Sequence, residues 1–299
     1  MIRTRLFIFA LLLAASAYAQ DVILPLWSEG VPQKIDQTEL IEKVEMQKGI
    51  IRRISKVTDP DISIYLPEGG TASKTAIVIC PGGGYSFLSY THEGIQVAKW
   101  LNTLGVAGIV LKSRLPEEKM FKNSSQVPLD DVLKAIRMVR THADDWNIER
   151  VGILGFSAGG HLAASASTHY RDSVERPDFS VLIYPVISMD ASFTHMGSRR
   201  ALIGGRPATE DVKYFSNELQ VTPDTPPAFL VHSADDRVVP VANSQKYLEA
   251  LKANAVGKSE MHIFPNGNHG YGMAAGKKGN VALWPRLCEG WLRQNGWIR

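Results

Sequence analysis

Gly155-Phe156-Ser157-Ala158-Gly159 places a serine between small residues, directly after the apolar run of residues 151–154 and directly before a stretch of helix-compatible residues. This is a G-x-S-x-G pattern in strand-to-helix context, where a tight turn lifts the serine above a sheet as a nucleophile. The plain alternative is a turn that happens to contain serine. A hydroxyl is a weak nucleophile until a base takes its proton, so the reading requires a histidine and a group to orient it.

Two later segments supply them. "FLVHSADDRVVP" is an apolar strand ending in Asp235 and Asp236, and "MHIFPNGNHGYG" is a last strand followed by a glycine-rich loop carrying His269. Either aspartate fits the order Ser, Asp, His at this stage. The bland roles are capping or loop solvation for the aspartates, and surface exposure for His269. His161, just inside the helix after Ser157, is read as structural because its helical direction points away from the turn. A third segment, "AIVICPGGGYSFLSY", carries three successive glycines after a strand, which expose backbone N–H groups of the kind a developing oxyanion requires. Ala158, at a helix N-terminus, offers another. No Lys-Ser/Thr follows the glycines, which excludes a phosphate-binding loop.

The elements that must hold these residues are legible as an alternation. "AIVIC", "GVAGIVL", "VGIL", "VLIYPV", "AFLVHS" and "MHIF" read as strands, and residues 94–104, 129–142 and 243–253 as helices. That pattern predicts an α/β fold with a mostly parallel twisted sheet and helices on both faces. "GIIRRISKV" and "DISIYLP", split by Thr58-Asp59-Pro60, are expected to form an N-terminal antiparallel hairpin at a sheet edge. Residues 187–226 are less regular and are read as an insertion walling one side of the site. Tyr85, Phe87, Tyr184, His195 and Tyr271 are candidates for the pocket lining, with core packing as the alternative. Arg114 and Asp130-Asp131 are read as pairing and capping groups.

The chain of 299 residues, 44% hydrophobic and 21% charged, suits one large domain. Arg3 and Arg5, an apolar run and Ala17-Tyr18-Ala19 read as a secretory signal peptide over residues 1–19, leaving a single domain over 20–299 and a periplasmic or secreted location. No second long apolar run follows, so no stable membrane anchor is expected after signal removal. Without Arg3 and Arg5, 31 basic residues face 30 acidic ones, a net charge near +1 that does not favour nucleic acid as a partner. Cys80 and Cys288 form either one disulfide or two buried thiols. No cluster has metal-ligand spacing, and no metal or organic cofactor is expected.

From about Lys74 to its end the chain resembles the α/β-hydrolases, and within them a carbohydrate-esterase-like branch that includes bacterial acetyl xylan esterases and hormone-sensitive-lipase-type esterases. The resemblance is carried by Pro81-Gly82-Gly83-Gly84-Tyr85, residues 155–160, Asp236-Arg237-Val238-Val239-Pro240 and His269-Gly270-Tyr271-Gly272. It implies Ser157 as nucleophile, His269 as base and Asp236 as orienting acid, preferred to Asp235 because Asp236 satisfies D-x-x-V-P, with Gly83, Gly84 and Ala158 as the oxyanion site. Lipase-like relatives carry histidine before the three glycines. Pro81 stands there instead, which suits the carbohydrate-esterase side. The implied activity is hydrolysis of short acyl esters, chiefly acetyl, on plant polysaccharides or oligosaccharides. A general carboxylesterase, a feruloyl esterase, a peptidase of the same fold and a binding module on a hydrolase scaffold are the competing readings.

Overall fold

A computed structural model describes residues 22–35 and 40–299, so the segment read as a signal peptide lies outside the described residues. Eight strands form one sheet: β1 (Val22–Pro25), β4 (Asp61–Tyr65), β5 (Thr75–Cys80), β6 (Ala107–Lys112), β7 (Arg150–Phe156), β8 (Ser180–Ile183), β9 (Ala228–Ser233) and β10 (Glu260–Phe264), in the order β1-β4-β6-β5-β7-β8-β9-β10. The six from β5 onward run parallel; at one edge β4 pairs antiparallel with β6, and β1 antiparallel with β4. This is the α/β-hydrolase architecture that the resemblance implies.

The apolar runs were readable because the central strands are covered on both faces. Ala76, Val78 and Cys80 pack on one side with α2 (Val127–Thr141), α3 (Ser157–Thr168) and α6 (Ala242–Ala253). Ile77 and Ile79 pack on the other with α1 (Gln96–Thr103) and α7 (Trp284–Gln294). Cys80 and Cys288 are separate free thiols, both buried. "VLIYPV" stops being strand at Ile183, because Tyr184 turns into the left-handed region (φ 37°) and Pro185 follows.

An N-terminal antiparallel pair is present, with a partner other than the expected one. β3 (Ile50–Ser55) folds back on β2 (Lys43–Gln47), and not onto β4. Lys48 and Gly49, both with positive φ (51° and 77°), make the two-residue turn that such a hairpin needs. β4 is buried along most of its length and belongs to the main sheet, whereas β2 is largely exposed and β3 mostly half-buried. Residues 187–226 carry α4 (Met196–Ile203) and α5 (Thr209–Tyr214).

Arg114 and Asp131 form a fully buried ion pair, at 2.7 Å, to which Trp27 donates its indole N–H. Asp130 instead accepts from Gln33 at its surface.

Candidate active site

Because β5, β7, β8, β9 and β10 are adjacent and parallel, the loops after their C-terminal ends gather at one sheet edge, where ligands bind in open α/β sheets. Ser157 follows β7, Asp235 and Asp236 follow β9, His269 follows β10, and the three glycines follow β5.

Ser157 sits at φ 52°, a strained conformation for a residue with a side chain. The glycines flanking it make room for the turn. A Cβ on Gly155 would lie 2.1 Å from the Gly159 carbonyl oxygen, and one on Gly159 would lie 2.1 Å from that of Cys80. The elbow is therefore wedged between α3 and the end of β5, and neither glycine tolerates a side chain.

Ser157 Oγ lies 2.9 Å from His269 Nε2, and His269 Nδ1 lies 2.7 Å from Asp236 Oδ2. The carboxylate fixes the tautomer, since Nδ1 must donate to it, which leaves Nε2 to accept from the serine hydroxyl. Asp236 Oδ1 also accepts the N–H groups of Val238 and Val239, at 2.8 and 2.9 Å. His232 Nε2 approaches Oδ2 at 3.3 Å. Burial alone would raise the pKa of Asp236, but the hydrogen bonds from His232, His269 and Val239 outweigh it and hold the carboxyl below the ordinary carboxylate range. Asp235 plays a different part, accepting from Gly267 N and Asn268 N at 3.0 and 2.8 Å, and so holds the loop that presents His269.

Gly83, at φ 141°, approaches the Phe87 carbonyl so closely that only glycine fits. The N–H of Gly82 is taken by the Glu93 carboxylate at 2.8 Å, whereas those of Gly83 and Gly84 donate to no other group among the described residues. Gly83, Gly84, Ser157 and His269 line one cavity of about 760 Å³, and Ala158 lies buried beside Ser157. A hydroxyl, a base and free N–H groups on one cavity are the parts needed for acyl transfer.

Of the five aromatic candidates, Phe87 and His195 line this cavity. Tyr85, Tyr184 and Tyr271 do not: the first two are hydrogen-bonded to groups behind the site, and the third is packed against Tyr184. Tyr85 donates its hydroxyl to His161 Nδ1 at 2.8 Å, while His161 Nε2–H donates to Phe215 O at 2.7 Å. Burial lowers the pKa of that imidazole to about 4. Tyr184 donates to Glu93 and accepts from Gly272 N, both at 2.8 Å, and Tyr271 packs edge-on against it.

Glu93 has no counterpart in the sequence reading. Its carboxylate joins the glycine loop, through Gly82, to the histidine loop, through Tyr184 and Gly272. Burial raises its pKa despite the opposing hydrogen bonds from Tyr184 and Gly82. Nothing in "SYTHEGIQ" marks a buried acid, and the signal lies wholly in partners distant along the chain. The second unforeseen wall is the β2–β3 hairpin, which brings Gln47, Ile50, Ile51, Arg52 and Arg53 to the cavity. Residues 187–226 contribute His195 and Gly197 to it.

The model of the prolyl oligopeptidase family matches residues 117–294, a span that includes Ser157, Asp236 and His269. An acetylxylan esterase of Xylanibacter ruminicola is 43% identical over 235 residues, 77% of this chain and 47% of its own length. An endo-1,4-beta-xylanase B of Butyrivibrio fibrisolvens is 34% identical over 227 residues, 72% of this chain and 35% of its own. The chain thus spans about half the length of the first of these relatives and about a third of the second. Among solved structures, an acetyl ester-xyloside bifunctional hydrolase from Caldicellulosiruptor lactoaceticus superposes with a TM-score of 0.79 at 36% identity, covering 95% of this chain and 100% of that one.

Proposed function

The chain belongs to the prolyl oligopeptidase family, in an acetyl xylan esterase-like branch of the α/β-hydrolases, and on that premise we propose that it is a secreted serine esterase removing acetyl groups from plant polysaccharides or oligosaccharides such as acetylated xylan. The observation that carries the reading is the hydrogen-bonded line from Ser157 through His269 to Asp236, at 2.9 and 2.7 Å, opening on a cavity of about 760 Å³. An acetyl group occupies little of such a volume, so most of it receives the alcohol part.

Ser157 Oγ attacks the ester carbonyl as His269 Nε2 takes its proton. The tetrahedral oxyanion accepts hydrogen bonds from Gly83, Gly84 and Ala158 N–H groups. The imidazolium, stabilised by Asp236, then protonates the sugar oxygen as its bond to the carbonyl carbon breaks, so that it departs as a hydroxyl and leaves acetyl on Ser157. Water, deprotonated by the same imidazole, releases acetate and restores the serine. The substrate class is supported by similarity to the acetylxylan esterase and to the acetyl ester-xyloside hydrolase.

The family's name favours one second reading, cleavage of peptide amides by the same residues. Acetate release from acetylated xylan, set beside hydrolysis of an aminoacyl-proline p-nitroanilide, separates the two. The esterase reading expects the first reaction and little of the second, and the reverse result would overturn it. Release of ferulate from feruloylated xylan, with no acetate, would keep the nucleophile and change the acyl group. Secretion rests on residues 1–19, with Gln20 as the expected mature N-terminus, readable by mass spectrometry of the exported protein.

A further inference from the structure

The cavity lining carries two arginines that acyl transfer leaves without a task. Arg52 and Arg53 lie on β3, where the pairing with β2 slips: Glu45 faces Arg53 and Met46 faces Ile51, so Arg52 is the extra residue of a bulge. That irregularity lets two successive side chains reach one cavity instead of pointing to opposite faces. The hairpin is fixed to the glycine loop by paired backbone bonds between Ile54 and Leu88, at 3.1 and 2.7 Å.

The Arg53 guanidinium lies over the Phe87 ring, 4.2 Å from its centroid. Stacking of this kind orients the plane while leaving the N–H edge unused. Among the described residues no carboxylate comes within ion-pair reach of either arginine, and Glu45 turns to Lys43 instead, at 3.8 Å. Glu93, the acidic group in the lining, is buried and already accepts from Gly82 and Tyr184. The uncompensated charge of the cavity is therefore positive.

We propose that Arg53, with Arg52 beside it, forms an anion subsite for a carboxylate on the alcohol part of the ester, so that the preferred substrate is an acetylated acidic oligosaccharide. This rests on the esterase reading above. A guanidinium presents paired donors at the spacing of the two oxygens of a carboxylate, and its preoriented fork adds geometric selectivity. Placement on the hairpin wall suits contact with the sugar, since the acyl group must sit at Ser157.

The test compares kcat/KM on acetylated xylo-oligosaccharides carrying a uronic acid branch with kcat/KM on the same oligosaccharides lacking it. The wild-type ratio is expected well above one at low ionic strength and to shrink as NaCl is added. Arg53→Gln is expected to cut that ratio about tenfold, and Arg53→Lys, which keeps the charge and loses the fork, to cut it less. A wild-type ratio of one, or a ratio that Arg53→Gln leaves unchanged, would overturn the subsite. Turnover of p-nitrophenyl acetate by the wild type separates the two levels. No turnover there defeats the esterase reading itself, while turnover without acidic preference defeats only the subsite.

Discussion

The Glu93 carboxylate accepts the backbone N–H of Gly82 at 2.8 Å, immediately before the two glycines whose N–H groups line the cavity beside Ser157. Its other oxygen accepts from Tyr184, which in turn holds Gly272 in the loop of His269. A glutamine at this place would turn an NH₂ toward one of two donors, leaving a buried N–H or O–H without an acceptor. Glu93→Gln is expected to lower kcat on p-nitrophenyl acetate about tenfold or more, with KM changed far less, because the oxyanion donors shift relative to the transition state. An unchanged kcat would show that the loops hold their places without it.

The two neighbouring aspartates should separate cleanly in mutagenesis. Asp236→Asn places an amide against His269 Nδ1 and favours the wrong tautomer, for which a loss of about 10⁴ in kcat is expected. Asp235→Asn keeps a carbonyl oxygen for Gly267 and Asn268, and a loss within about tenfold is expected. Steady-state rates on one activated ester decide the ranking.

The residues that meet at the site were legible because each follows an apolar strand, and parallel neighbours bring those ends together whatever their separation in sequence. Ser157 could be found from its glycines, which close contacts demand. Asp236 could be told from Asp235 only by resemblance, since two adjacent carboxylates look alike until a loop aims one of them. The tyrosines pose a related problem: an aromatic beside a motif reads equally as pocket wall or as core packing, and in the structure Tyr85 and Tyr184 turn inward to buried hydrogen-bond partners while Tyr271 packs edge-on against Tyr184. The pairing of β3 with β2 was hidden because the Thr58-Asp59-Pro60 turn is the more conspicuous signal, while Lys48-Gly49 makes the actual hairpin. Glu93 and Arg53 act through partners far along the chain, and local composition carries no trace of them.

His161 gives a pH signature of stability. Buried and neutral between Tyr85 and Phe215, it titrates near 4, down from 6.5, so between these values the unfolded chain binds more protons than the folded one. Its contribution is intact above pH 6.5 and is lost as pH falls toward 4, an effect on the order of 3 kcal/mol. Chemical denaturation across this range is expected to show the slope, and His161→Gln to flatten it by about one proton. An equally steep slope in the variant would assign the effect elsewhere.

Acyl preference should be graded, not absolute, since each methylene misfitting a pocket shifts selectivity by only ~1 to 3 kcal/mol. Among p-nitrophenyl esters, kcat/KM is expected to fall from acetyl through butyryl to octanoyl. An octanoyl optimum would point to a lipid or general esterase.

The most direct test of the account is the rate of acetate release by Ser157→Ala, measured beside its thermal unfolding. The substitution deletes one hydroxyl that contacts His269 and removes little packing, so an unfolding temperature close to wild type is expected. The rate is expected to fall by roughly 10⁴- to 10⁶-fold. A folded variant that kept half the wild-type rate would contradict Ser157 as the nucleophile.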